Sequence, residues 1–296
     1  MIGRAVRRAG SPVWLALFLV AALCGPLPAA ASNGSVVAAG QSPRRGPTAA
    51  GRRNDIAVFR PSTATWYIRG RAGVQFGRPG DIPVPADYNG DGRTDLAVFR
   101  PSTGTWFIRG QRPVQLGRLG DIPVPSDFNG DGRWEPVTFR PSAGTWFVQG
   151  DRVRLGGPGD VPVVRDYDGD GTSDIATYRP RTSAWLQGEL TASVILFGRR
   201  GDWPVADDYN GDGRAELAVF RPSTGTWHRR GAITYRFGTI GDRPVPADYN
   251  ADGRVDVAVF RPSSGTWHVS GQRTIRFGRP GDIPIPPQRG RTPSVW

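Results

Sequence analysis

The chain has 296 residues, 38% of them hydrophobic, and carries 38 basic against 26 acidic residues for a formal charge of +12. That length ordinarily divides into one or two domains, although a repeat array can hold it in one closed body. With 41 glycines, 28 prolines and no sustained helical periodicity, a fold built from long helices is excluded, and a single cysteine excludes a disulfide scaffold.

Residues 1–31 combine Arg4, Arg7 and Arg8, an apolar run from Val13 to Cys24 and the small-residue exit Ala29-Ala30-Ala31. That order of charge, apolar run and small residues is a secretory signal peptide, and the run is too short to span a bilayer. Arg7-Arg8 raises a twin-arginine route, but Ala9-Gly10 stands where an apolar pair is expected. Cys24 raises lipidation, but Leu23 precedes it where a small residue is usual. Residues 32–54 are Gly, Ala, Ser, Pro and Arg without periodicity and read as a flexible linker. Folded sequence is expected from Asp55 to the end, without a disulfide in a compartment that permits one.

From there a unit of about 40 residues repeats. Residues 81–117 read DIPVPADYNGDGRTDLAVFRPSTGTWFIRGQRPVQLG, with short apolar or β-branched runs IPVPADY, LAVFR, TWFIR and VQLG bounded by NGDG, PSTG and Gly110-Gln111. Four short strands and no helix per unit predict a propeller blade. One Trp in each third strand (Trp66, Trp106, Trp146, Trp185, Trp227, Trp267) counts six units. The first unit starts at the strand DIAVFR and lacks its IPVPADY run, whereas the chain ends on Asp282-Ile283-Pro284-Ile285-Pro286. The two fragments add to one blade, so the expected fold is an all-β, six-bladed β-propeller closed by strands from both termini.

Five of the units carry a nine-residue acidic loop, starting at residues 87, 127, 166, 208 and 248, at spacings of 40, 39, 42 and 40. Side-chain oxygens alternate at positions 1, 3 and 5, Gly holds position 6, and Asp or Glu closes position 9, with a backbone carbonyl offered at position 7. These are the donors of a calcium loop, because calcium takes six to eight oxygens in flexible geometry. The expected ligands are Asp87, Asn89, Asp91, Arg93 and Asp95, then Asp127, Asn129, Asp131, Arg133 and Glu135. The third loop offers Asp166, Asp168, Asp170, Thr172 and Asp174. The fourth offers Asp208, Asn210, Asp212, Arg214 and Glu216, and the fifth Asp248, Asn250, Asp252, Arg254 and Asp256. Asp168 adds a fourth carboxylate and is expected to tighten its loop, and Ala251 in place of Gly to strain its own. A set of plain tight turns is the other reading, set against the mutual repulsion of three carboxylates without a cation.

The succession of Phe-Gly (Phe76-Gly77, Phe197-Gly198, Phe237-Gly238, Phe277-Gly278), DYNGDG and an Asp-Leu-Ala-Val strand resembles the FG-GAP/VCBS repeats of bacterial secreted proteins and the integrin alpha-chain propeller. The resemblance covers residues 55–296 and implies an acidic calcium loop between the first and second strands of a blade. The unit here is shorter, the blades are six where integrins have seven, and GDxPVP replaces the GAP element. The family's ligand-binding surface therefore does not carry over.

Each unit also repeats an Arg after its second strand (Arg60, Arg100, Arg140, Arg179, Arg221, Arg261) and an Asp before its first (Asp81, Asp121, Asp160, Asp202, Asp242, Asp282). Strand counting puts both at one end of the blade, as a structural ion pair or as a ligand-binding arginine ring. The six repeated Trp face the same choice between core packing and sugar stacking, and Trp134 and Trp203, outside that slot, are expected to make exposed contacts.

The five loops and the GD positions together use 22 of the 26 acidic residues. Removing residues 1–31, with their three Arg, lowers +12 to +9, and such a surface favours acidic partners. Catalysis has little to work with: His228 and His268 occupy a slot filled by Tyr67, Phe107, Phe147 and Leu186 in other units, and no serine sits in a nucleophile elbow. The expectation is a secreted or cell-surface, calcium-binding module without catalytic activity. It would act as a monomer in binding or adhesion, with no membrane span in the mature chain. Its partner would be an acidic polymer, a glycan or a surface protein, with nucleic acid bound only nonspecifically. A carbohydrate-binding lectin is the alternative and a polysaccharide-active enzyme the third reading.

Overall fold

A computed structural model describes residues 56–148, 150–172, 174–188 and 193–287. The expected signal peptide and linker, with Cys24 and Asp55, lie outside the described residues. Six four-stranded antiparallel sheets form a β-propeller, and among the described residues there is no helix.

In the second blade β4 (Ile82–Pro83), β5 (Ala97–Arg100), β6 (Thr105–Ile108) and β7 (Val114–Gln115) follow one another across the sheet. The first of these strands lies wholly buried and the last is exposed, so the blade runs from axis to rim. Alternation in this inner strand explains its prolines. Val84 N–H donates to Ala97 O at 2.9 Å, so the nitrogens of Pro83 and Pro85 face the sheet's free edge, where a missing N–H costs nothing. A Pro-bearing edge also resists pairing with a foreign strand.

The first blade is assembled from both ends of the described chain. β24 (Ile283–Ile285) pairs with β1 (Ala57–Arg60), matching Ala57 to Ile285 and Phe59 to Ile283, and β2 (Thr65–Ile68) and β3 (Val74–Gln75) complete the sheet. Packing closes the ring as well: Ile56 and Val58 of this blade join the buried cluster of Phe260 and Trp267 in the sixth.

Trp–Phe pairs form five of the blade cores and a Trp185–Tyr178 pair the fourth blade's. Trp106 is fully buried, its ring 5.4 Å from Phe99, and its Nε1–H donates to Leu116 O at 3.0 Å, tying the third strand to the fourth. The same arrangement recurs at Trp66, Trp146, Trp185, Trp227 and Trp267, each at most 2% exposed. These six are therefore core residues, which removes them as sugar-stacking platforms. Trp134 and Trp203 correct their expectation: both are half-buried, Trp134 against the second blade's cluster and Trp203 at 6.3 Å from Phe220.

Candidate metal centre

The antiparallel order sends successive connections to opposite faces of the ring. Acidic loops and the third-to-fourth-strand turns lie on one face, here the loop face. The PSTG-type turns and the GRxGD connections between blades lie on the other, the turn face.

On the turn face each repeated Asp meets the repeated Arg of its own sheet. Arg100 Nε and Nη2 donate to the two oxygens of Asp81 at 2.9 and 2.8 Å, and Arg78 N–H adds a third donor at 2.9 Å. Equivalent pairs are Arg140–Asp121, Arg179–Asp160, Arg221–Asp202, Arg261–Asp242 and, across the closure, Arg60–Asp282. The carboxylates are buried, and the guanidinium of Arg100 lies 4.2 Å from the Phe107 ring centroid. Bidentate geometry and burial of the carboxylates make these structural ion pairs, and in three blades Arg60, Arg100 and Arg140 also lie over an aromatic ring. His228 replaces the aromatic in its blade; its Nε2 and Nδ1 lie 3.1 and 2.9 Å from the Thr226 and Thr234 hydroxyls. Burial, with help from the neighbouring Arg221 charge, lowers its pKa from the usual histidine value.

The loops are built differently. Position 1 is buried or half-buried and in the first four loops accepts backbone N–H groups from positions 4 and 6, as Asp87 takes Gly90 at 2.7 Å and Gly92 at 2.9 Å; in the fifth, Asp248 takes Asp252 at 3.2 Å and Gly253 at 2.9 Å. The closing carboxylate accepts the position-2 N–H, as Glu135 does from Phe128 at 2.9 Å and Glu216 from Tyr209 at 2.9 Å. These contacts turn acidic side chains toward one another. Carboxylate oxygens of Asp127, Asp131 and Glu135 lie within 4.8 Å of each other, as do those of Asp166, Asp168 and Asp174 and those of Asp208, Asp212 and Glu216. Asp87, Asp91 and Asp95 share the framework in the first loop, and Asp248, Asp252 and Asp256 in the fifth. Carbonyls at position 7 belong to the exposed Arg93, Arg133, Arg214 and Arg254 and to the half-buried Thr172.

Where position 3 is Asn, its side-chain NH2 lies between the carboxylates and donates to them. Asn89 reaches Asp95 at 3.2 Å, Asn129 reaches Glu135 at 3.3 Å, Asn210 reaches Glu216 at 2.5 Å, and Asn250 reaches Asp252 at 3.0 Å. Asp168 supplies no such donor. Burial, together with the charges of Asp168, Asp166 and Asp170, pushes Asp174 up to about 6. Asp95, Glu216 and Asp256 are raised for the same first reason, burial, and their neighbouring carboxylates add to it. The donor set is all oxygen, clustered and electrostatically unfavourable when bare, and it fits a hard divalent cation.

Consecutive loops also touch, a feature the sequence reading missed. The position-8 N–H of one loop donates to the position-1 carbonyl of the preceding one: Trp134 to Asp87 at 2.8 Å, Ala215 to Asp166 at 2.7 Å and Val255 to Asp208 at 3.0 Å. The position-7 side chain lies over the preceding position-4 glycine. A Cβ at Gly90 would stand 2.9 Å from Arg133 Cγ, and one at Gly211 would stand 2.9 Å from Arg254 Cγ. Ala251 is the one non-glycine in that slot. It belongs to the last loop and is exposed, and its left-handed φ of 62° is unfavourable for a residue with a Cβ. One further interblade pair is buried, Arg165 Nη2 to Asp207 Oδ2 at 3.0 Å.

No family model matches the chain, and no curated protein matches it. Among solved structures it is similar to the virginiamycin B lyase of Staphylococcus aureus, at 9% identity over 80% of this chain and 85% of that one, with a TM-score of 0.47. It is also similar to the dihydro-heme d1 dehydrogenase NirN in complex with DHE, at 15% identity over 93% of this chain and 62% of that one, with a TM-score of 0.43. BBS1N in complex with ARL6DN matches at 12% identity over 66% and 68%, with a TM-score of 0.40.

Proposed function

We propose that the protein is a calcium-stapled propeller of the FG-GAP/VCBS type, exported from the cell, that binds acidic cell-surface or extracellular polymers without catalysing a reaction. The observation that carries the calcium reading is the loop framework: backbone N–H groups fix the position-1 and position-9 carboxylates so that oxygens converge within 4.8 Å in three loops. Burial first and the neighbouring carboxylates second raise Asp174, and a cation would offset both; calcium suits a flexible oxygen cage better than magnesium, which demands a strict octahedron. Binding to the folded ring alone would stabilise it, taking the place of the disulfides it lacks. Export rests on the charge, apolar run and small-residue exit of residues 1–31.

The noncatalytic reading rests on where the titratable groups are used. The turn-face carboxylates are held by arginines, the loop carboxylates surround the cation positions, and His228 lies in a packing slot. A binding screen of wall polymers and acidic and neutral glycans, run with calcium and again with chelator, tests the function. Calcium-dependent retention of acidic polymers is the expected result. Retention of neutral glycans alone would favour a lectin, and shortening of a polysaccharide substrate would favour an enzyme.

A further inference from the structure

The two faces differ in charge once every ion pair is assigned. Among the described residues, the only carboxylates at the turn face are the six GD aspartates, and each is buried against its own arginine. All other described carboxylates belong to the acidic loops, to Asp207 beside one of them, or to Asp151 at the opposite end of its strand. What remains at the turn face is basic. Arg78, Arg118, Arg199, Arg200 and Arg279 lie in the connections between blades and Arg181 in a PSTG-type turn, all exposed. Arg154, Arg236 and Arg276 end the outermost strands at the same edge, where they pair in register with Thr145, Thr226 and Thr266, and they are exposed as well.

We infer that the turn face is the docking surface, and that its partner is an extended anionic polysaccharide lying across several blades. This inference rests on the binding-module reading above and assigns its surface. Nine exposed guanidiniums on a face where every described carboxylate is already paired make a continuous positive field, and a chain of repeated negative charges matches it better than one compact anion does. Nucleic acid fits less well, because the repeated tryptophans that would stack bases are buried in the blade cores. A lipid surface fits less well, because the large exposed apolar side chains of this face, Leu119, Leu196 and Ile240, are spread singly over different blades and connections. The loop face is different in kind, since its arginines share it with the acidic loops.

The test uses two charge-matched variants of the full chain in calcium. One carries Arg118, Arg199, Arg200 and Arg279 each changed to Gln. The other carries Arg109, Arg112, Arg230 and Arg273 each changed to Gln, all exposed residues of the loop-face turns. None of the eight side chains is in an ion pair among the described residues, so both variants should keep the parent's unfolding midpoint. Carboxymethyl-dextran is the probe and unmodified dextran the neutral control. The turn-face variant should lose about tenfold or more in affinity and show a shallower salt dependence, and the loop-face variant should stay within about twofold of the parent. Equal weakening of the two variants, or loss confined to the loop-face variant, would overturn the surface assignment while leaving the binding-module reading standing. A parent that binds no anionic polysaccharide would sink both, and a parent that prefers anionic vesicles or single-stranded DNA to carboxymethyl-dextran would overturn the partner.

Discussion

On the turn face every aspartate has its own guanidinium, bidentate and 2.7–2.9 Å away, and these carboxylates are all buried. On the loop face three or four carboxylates crowd each loop, and their neighbours are backbone N–H groups and an asparagine amide. Both sets come from short acidic motifs repeated at one period. The turn face neutralises its aspartates within the protein; the loop face has no such partner for its carboxylates and would take one from outside. Stability should therefore be intrinsic at one face and conditional on a cation at the other.

The largest expected effect comes from the closure that joins the two ends. Truncation before Asp282 removes the buried Ile283 and Ile285 and strips Arg60 of its carboxylate. A loss of about 5 kcal/mol or more is expected in denaturant unfolding, by the burial of two isoleucines and the loss of a buried pair. A truncated protein as stable as the parent would mean that the ring does not depend on this strand.

Next comes the turn face. Arg100→Ala leaves Asp81 buried without its partner and should cost about 3 kcal/mol, with or without calcium. Arg118→Ala, in the exposed connection beside the Arg140–Asp121 pair, should cost no more than about 0.5 kcal/mol. Equal losses would mean that the pairs do not hold the face.

At the loop face the sign depends on the cation. Asp131→Ala should lower bound calcium from about five to about four per chain, by the loop-ligand count. Without metal, Asp174 has a folded pKa of about 6 against an ordinary 3.8, so the folded state holds its proton more tightly than the unfolded chain does. Metal-free stability should therefore fall as pH rises from about 4 to about 6. Asp168→Asn removes a repelling charge and restores the bridging amide, so it should flatten that pH dependence. A pH profile that rises across this window would contradict the bare-carboxylate picture.

The smallest effects concern position 4. Ala251→Gly relieves an exposed left-handed alanine and should gain about 1 kcal/mol, whereas Gly211→Ala meets Arg254 as well and should cost more than that. Thermal midpoints of the two variants, compared with the parent, rank them.

Much of this was legible in the sequence because each unit repeats a local rule. Trp spacing counted the blades, DIPIP announced the closing strand, and FRPS with GDxP located the ion pairs. What escaped is what forms between units. Trp134 and Trp203 look like surface residues within their own repeats, and packing against neighbouring strands and blades half-buries them. Ala251 looks like a strained exception, and its place at the end of the loop series sets it apart from Gly90, Gly169 and Gly211, over which an arginine of the next loop lies. The Arg165–Asp207 pair joins a position held by Ala86, Ser126 and Ala247 in other blades, so no repeat pattern announces it.

The central claim, that the loop face requires a cation, is tested most directly by stripping the protein with chelator, equilibrating it with calcium, and measuring bound metal and the unfolding midpoint on the same sample. About five calcium ions per chain and a midpoint above that of the stripped protein are the predicted result. Less than one ion per chain, with a midpoint that calcium does not move, would contradict it.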